Sequence, residues 1–486
     1  MGTRLTAAQL IEQWADSGSY ESWDEPAAPS RQPRIRPAAE TDAGYQAQLD
    51  RARLTSGVDE AVSTGSACIA GTRTALILSE FEFLGGSLGE VAVRRICSAL
   101  TRATANRMPV VASPASGGTR MQEGAPAFLH MVDIVRAVEA HKAAGLMFLV
   151  YMRDPTTGGA LASWGSLGSL TVGEPGALIT FVGPRVAQQI RGNALPDESV
   201  RAERLRDNGL LDDVLDPVTF GSRLRLLLSD GGRSRPISSA TRCGLSSKQS
   251  SSEATAQKSA WSRIVASRRP DRPSAEEALA ISAHKVLALR RRGHGCVTAA
   301  VCRFDGHRCV VIAQDRTVAA NGHILNAADL RAARHAVRVA AELRLPIITL
   351  VDTPGADVSE ASEEEGIAGE IAGCLAELAS AHTPSLGVLL GQGCGAGALA
   401  LLGTDTMLAA DDSWLSPLPV EGASVILFGD PTHAAELADK QAIAATALAE
   451  HGLIDGLIPG SHVGRTDFIA GVRSAVMDWL GGLSAA

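Results

Sequence analysis

Aromatic side chains are scarce, with nine Phe, six Trp and three Tyr among 486 residues. Any large core must therefore be assembled from Ala, Leu and Val. The eight cysteines, Cys68, Cys97, Cys243, Cys296, Cys302, Cys309, Cys374 and Cys394, form no C-x-x-C pair and no disulfide spacing. That excludes a disulfide scaffold and fits reduced, packed thiols in a cytoplasmic protein. His307, His323 and His335 lack metal-ligand spacing. No apolar run follows Arg4, Glu12 and Asp16, so no secretion signal is expected. Excess positive charge is missing too: the net charge of −8 argues against nucleic acid and anionic membrane as main partners. The uncharged run from Leu386 to Thr404 is long enough to span a bilayer, but Gly391, Gln392, Gly393, Gly395 and Gly397 break it. It reads as a turn between a strand and a helix, so no membrane partner is expected.

Glycine, in contrast, is plentiful, with 49 residues. The organising stretch is Ser116-Gly117-Gly118-Thr119-Arg120-Met121-Gln122-Glu123-Gly124. It follows the apolar run 109–112 and precedes a helical period at Phe128, Met131, Val132, Val135 and Val138. Strand, glycine turn and helix start in that order leave backbone N–H groups uncovered by any Cβ, an arrangement suited to an anion or a transient oxyanion. The same spacing also serves a tight connection with no chemistry.

In chain order, residues 4–16 are expected to form a short helix, with Thr6 and Gln9 in capping-box spacing. The Pro- and Arg-rich stretch 26–37 reads as exposed loop, and a charged helix follows from Tyr45 to about Arg53. Runs 66–69 and 74–78 flank Ala70-Gly71-Thr72-Arg73 as a hairpin, and 81–87 reads as a strand ending in a glycine turn. Strand, turn and helix recur at 146–151 with Asp154-Pro155-Thr156-Thr157-Gly158-Gly159, and 178–182 gives a further strand. Strands alternating with helices at this interval indicate an α/β layered domain.

From about Ser229 to Ala260 the chain turns Ser-, Gly-, Arg- and Lys-rich without apolar period, and reads as a flexible, disordered linker. It separates residues 1–228 from 261–486. The second part repeats the grammar of the first. A helix at 332–343 leads to a strand at 345–351 and the turn Asp352-Thr353-Pro354-Gly355-Ala356. A second strand, 386–390, meets Gly391-Gln392-Gly393-Cys394-Gly395-Ala396-Gly397-Ala398 and a helix. The expected architecture is an internal duplication with two facing anion sites, suited to passing a group between two carbonyl compounds.

Residues 116–124 resemble the S-G-G-A-R-M-Q-E-G motif of the β subunit of bacterial acetyl-CoA carboxylase carboxyltransferase, with Thr119 in place of Ala. Residues 154–159, Glu174-Pro175-Gly176-Ala177-Leu178-Ile179 and Gly183-Pro184-Arg185-Val186 are similar to the same subunit. The second half resembles the α subunit at 346–356, at Glu364-Glu365-Gly366, at 391–398 and at 416–424. Trp261 to Pro273, ending Arg269-Pro270-Asp271-Arg272-Pro273, resembles that subunit's R-x-P-x-R-P element. The whole is similar to a fused β–α carboxyltransferase of the crotonase superfamily, which implies two tandem crotonase-like (ββα superhelix) α/β domains.

The resemblance implies carboxyl transfer from carboxybiotin to the α-carbon of acetyl-CoA or a related short acyl-CoA, giving malonyl-CoA or a homologue. Gly117 and Gly118 would hold the thioester enolate, and Gly397 and Ala398 the ureido oxygen of biotin. Ser116, Arg120, Gly158, Gly159, Gly355, Gly395 and Ala396 would line the substrates. Backbone donors of this kind are worth about 3–4 kcal/mol each, and the biotin anion left by loss of CO2 can take the α-proton, so no side-chain base is required. The sequence has no biotinylation motif and no ATP-binding loop, which implies a separate biotin carboxylase and biotin carboxyl carrier chain. A homodimer is expected, with the first half of one chain facing the second half of its mate.

Two departures from the family stand out. The four-cysteine zinc ribbon is missing, so no zinc is expected, and Cys394 and Ala396 replace smaller residues at the biotin-side turn. The changes around Cys394 keep open a decarboxylase of a malonyl-type thioester; a non-catalytic acyl-CoA-binding partner is the other alternative, and the intact Gly117, Gly118 and Gly397 weigh against it. Several side chains have competing uses. Asp352 fits a structural turn better than catalysis. Arg120 and Arg185 could attract CoA phosphates or pair with Glu123 and Glu174. Cys394 is expected to pack more readily than to react. Glu363, Glu364 and Glu365 would favour the helix that follows them, and Arg290, Arg291 and Arg292 a solvated helix end.

Overall fold

The computed structural model describes residues 4–24, 43–183, 187, 196–208, 210–229, 259–282, 284–289, 295–304, 307–320 and 323–485. The expected loop at 26–37, most of the expected linker, Arg185 and Arg290–Arg292 lie outside them.

The first sheet contains β1 (Glu21–Ser22), β2 (Val62–Ile69), β3 (Thr72–Ser79), β4 (Val110–Ser113) and β5 (Phe148–Met152). A separate two-stranded ribbon pairs β6 (Thr156–Thr157) with β8 (Ile179–Thr180), while β7 (Leu170–Gly173) and β9 (Asp213–Val214) complete the main sheet. Its order is β1-β2-β3-β4-β5-β7-β9. The β2–β3 hairpin is antiparallel, and the pairs from β3 through β9 are parallel. Parallel neighbours need crossover helices, here Glu90–Ala105 and Met131–Ala143.

The second sheet repeats the plan with β10 (His284–Leu289), β11 (Val297–Phe304), β12 (His307–Gln314), β13 (Ile347–Thr353), β14 (Ser385–Cys394), β15 (Thr406–Ala410), β16 (Trp414–Ser416) and β17 (Gly456–Ile458). Its path is β10-β11-β12-β13-β14-β15-β17, with β16 added beside β14. Again an antiparallel hairpin, β11–β12, leads into parallel β13, β14 and β15. Helices Ala327–Leu343 and Ile367–Ser380 are the crossovers. The chain is thus a tandem pair of crotonase-like α/β units. One apolar cluster, including Val132, Phe128, Leu375 and Leu402, runs through both, so the halves share a core.

Local chemistry explains the agreement and the exceptions. The Thr6–Gln9 capping box forms in full at helix Ala7–Trp14. The hairpin closes over Ala70 and Gly71, both at positive φ, and pairs Ile69 with Thr72, so its strands run further than their apolar residues indicate. Residues 81–87 form no strand: β3 ends at Ser79, and Leu84–Gly86 is a 3-10 turn with left-handed Gly85 and Gly86. The uncharged run 386–404 is strand, short helix and turn, and among the described residues no helix is long and apolar enough to cross a membrane.

Candidate active site

In each half a strand-end turn meets the start of a short helix, and the two constructions match. In the first half β4 runs into Pro114–Thr119, and β6 runs into helix Gly158–Leu161. In the second, β13 runs into Pro354–Ala356, and β14 into helix Gly395–Leu399. Gly118 (φ 103°) and Gly355 (φ 130°) occupy corresponding turn positions. Each donates its N–H to a hydroxyl two residues back, Gly118 to Ser116 Oγ at 3.0 Å and Gly355 to Thr353 Oγ1 at 3.3 Å. Each is followed by a parallel bridge, Thr119 to Leu88 and Ala356 to Leu325. Gly158 (φ 59°) and Gly395 (φ 67°) likewise open the two helices in the left-handed region.

The amides expected to hold the enolate are already engaged. Gly117 donates to the Gly85 carbonyl at 2.8 Å, and Gly118 to Ser116 as above. Both therefore shape the turn. The amide next in line is differently placed: the bridge uses the Gly118 carbonyl and the Arg120 N–H, which bond Leu88 at 2.8 and 2.9 Å. In a parallel bridge the intervening residue turns its own amide the other way, and among the described residues no acceptor meets Thr119 N–H. It lies beside the helix start, where a β-carbon on Gly159 would stand 3.7 Å from Thr119 N.

That helix has no side-chain cap on its N-terminal residue, Thr157. Gly158 N–H is taken by the Phe181 carbonyl at 3.1 Å, which leaves the first-turn amides of Gly159 and Ala160 without an intrahelical acceptor. A β-carbon on Gly118 would come within 3.2 Å of Gly159 N, so the turn and the helix start touch through backbone alone.

The second half repeats the pairing. Cys394 provides no side-chain cap to helix Gly395–Leu399. Ala396 and Gly397 are first-turn positions with no intrahelical acceptor, whereas Ala398, the fourth residue, is the first whose N–H reaches back to the Cys394 carbonyl. Ala356 N–H has no acceptor among the described residues, and a β-carbon on Gly397 would stand 3.1 Å from it. Gln314 Nε2 donates to the Gly397 carbonyl at 2.7 Å and holds the helix in place.

The side chains divide between packing and positioning. Arg120 is 1% exposed and spent internally on Glu60, Glu123 (3.2 Å) and the Ser87 carbonyl (2.8 Å). No donor remains for a CoA phosphate, so its expected substrate contact is replaced by a structural one. Asp352 is fully buried between Arg316 (3.1 Å) and Arg272 (3.4 Å) and accepts from Gln392 N–H at 2.9 Å, a structural role, but as a buried ion pair across the sheet and not the local turn expected. Burial pushes the Cys394 thiol up to about 12, and it packs as expected. Glu363 was legible as a helix-start charge, yet it is buried and reaches into the first half; Glu364 pairs with Arg204 and Glu365 with Arg331.

Residues 39–205 match a family profile described as "Carboxyl transferase domain", and residues 238–484 one described as "Acetyl co-enzyme A carboxylase carboxyltransferase-like". The probable biotin-dependent acyl-coenzyme A carboxylase beta3 subunit of Mycobacterium tuberculosis is 44% identical over 94% of this chain and 90% of its own length. The acetyl-coenzyme A carboxylase carboxyl transferase subunits beta/alpha of Salinispora arenicola are 33% identical over 98% of this chain and 86% of their own length. Those of Saccharopolyspora erythraea are 31% identical over 94% and 80%. The chain belongs to the carboxyltransferase family of acyl-CoA carboxylases.

Proposed function

We propose that this carboxyltransferase moves a carboxyl group from carboxybiotin, borne by a separate carrier chain, to the α-carbon of acetyl-CoA or a related short acyl-CoA. The observation that carries this reading is the repeated pairing of a turn amide with a first-turn helix amide. Thr119 and Gly159 form one pair, and Ala356 and Gly397 the other. Two converging N–H groups stabilise an oxygen as it gains negative charge, and fixed amides need no reorganisation to do so.

At the first pair the charge would develop on the thioester oxygen as the α-proton leaves. Gly117 and Gly118 would serve by fixing the turn, and Gly158 by fixing the helix. At the second pair Gly397 packs directly on the turn, where a β-carbon would meet Leu325 at 2.9 Å and Ala356 N at 3.1 Å, so glycine lets the helix start approach the Ala356 amide. Carboxybiotin supplies the carboxyl group. Ala356 and Gly397 would hold its ureido oxygen, with Gly355, Gly395 and Ala396 shaping the approach.

We also infer a homodimer at least, the first half of one chain completing a site with the second half of its mate. A biotin carboxylase would load the carrier, and malonyl-CoA or a close homologue would be the product. Purified chain incubated with biotin carboxylase, biotinylated carrier, ATP, bicarbonate and a panel of acyl-CoAs tests the reading. Carboxylation of a short acyl-CoA is expected. Turnover of none would overturn it, and thioester decarboxylation without biotin would replace it with the reverse chemistry.

A further inference from the structure

The second half places a carboxylate inside the first half. Glu363 lies in helix Glu360–Glu364, seven residues after Ala356. The segment between is pinned: Asp357 N–H donates to the Leu325 carbonyl at 2.7 Å, and the Asp357 carboxylate accepts from Ser359 N at 2.9 Å and Ser359 Oγ at 2.7 Å. Ser359 in turn caps the helix. Glu363 thus hangs from the same turn that carries the Ala356 amide.

At its far end the carboxylate is gripped by three consecutive residues of the first half. Glu363 Oε1 accepts from Thr180 Oγ1 at 2.7 Å and from Val182 N at 3.2 Å, and Oε2 accepts from Phe181 N at 2.9 Å. Those residues border the active-site helix directly. Thr180 pairs with Thr157, and the Phe181 carbonyl accepts from Gly158 N–H at 3.1 Å. We propose that Glu363 is a positioning residue for the first-half site, holding segment 180–182 so that the Phe181 carbonyl fixes the helix start and aims the Gly159 amide. It touches no substrate. It ties the turn of one amide pair to the helix of the other within a single chain.

A carboxylate is suited to this task. Its two oxygens offer about four acceptor directions in one plane, enough for two amides and a hydroxyl at once. Bonds to a charged acceptor are roughly twice as strong as neutral ones. An amide side chain of the same shape would turn one acceptor into a donor facing either Phe181 N–H or the Thr180–Val182 pair.

The inference rests on the carboxyltransferase reading, and its test separates the two. Glu363→Gln and Glu363→Asp are compared with the parent protein in the reconstituted assay, and amide exchange of residues 158 and 180–182 is followed by NMR or mass spectrometry. Glu363→Gln is expected to lower kcat about tenfold or more, leave the acyl-CoA KM within about twofold, and speed exchange at 180–182. Glu363→Asp, which keeps both acceptor oxygens, is expected to recover part of kcat. Unchanged kcat in Glu363→Gln would overturn the proposal. So would a loss of kcat that tracks melting temperature equally in both variants, the signature of a seam residue with no bearing on the site. If the parent protein carboxylates nothing, the carboxyltransferase reading fails, while the exchange data still decide whether Glu363 governs segment 180–182.

Discussion

Arg272 lies across Gly391 so closely that any β-carbon there would overlap its guanidinium. From that position Arg272 donates to the Ser267 carbonyl at 2.6 Å and the Leu390 carbonyl at 2.9 Å, and pairs with Asp352. The glycine before the second-half glycine turn is thus required by an arginine 119 residues earlier in the chain.

Asp352 is the shared ion-pair partner of Arg272 and Arg316, and all three are buried. Removing the acid strands two guanidinium groups away from water. Asp352→Ala is expected to destabilise the protein by about 3–5 kcal/mol in denaturant titration. Asp271→Ala, which breaks the exposed pair with Arg269, is expected to leave the unfolding midpoint in place.

Gly118 and Gly71 both sit at positive φ, but only Gly118 has backbone against it. Alanine at either position should cost about 1–2 kcal/mol of stability from the left-handed backbone. Gly118→Ala additionally pushes a methyl toward Gly159 N and should abolish carboxyl transfer, whereas Gly71→Ala should retain it. Paired melting curves and turnover measurements check this contrast.

The thiol of Cys394 is 2% exposed, and burial pushes it up to about 12. Iodoacetamide at neutral pH should leave it unmodified in the folded protein and label it after denaturation, as read by peptide mass spectrometry. Cys394→Ser should therefore not remove a nucleophile from the reaction.

His141 is fully buried, with Nδ1 2.9 Å from Thr104 Oγ1 and Nε2 donating to the Met147 carbonyl at 3.2 Å. Burial holds its pKa below the usual 6.5, so the folded state binds fewer protons than the unfolded one. Stability then rises with pH in this window: the contribution is intact above 6.5 and is lost progressively as pH falls below it. His141→Gln, which keeps a donor for Met147, should flatten the change in urea midpoint between about pH 5 and 7.

Much of this was legible in the sequence because it is local. The Thr6–Gln9 box, the hairpin over Ala70-Gly71 and the strand–turn–helix order of both halves follow from residues a few positions apart. The engaged state of the Gly117 amide was not, since its acceptor, Gly85, belongs to a turn 32 residues earlier. Nor was the burial of Arg120, whose main partner Glu60 lies 60 residues away. Glycine marked the turns correctly, but which neighbouring amides stay unbonded depends on the long-range bridges at Leu88 and Leu325.

The seam between the halves has a consequence for how the chain must come into being. Gln441 Nε2 donates to the Met121 carbonyl at 2.7 Å, and its own carbonyl accepts from Ala125 N–H at 3.2 Å, where Gly124 admits the backbone. Translation of the first 228 residues therefore ends with a naked apolar flank and the 180–182 segment still awaiting its carboxylate. The newborn amino-terminal piece meets these partners only once its downstream sibling has followed it, and covalent fusion guarantees that the sibling arrives.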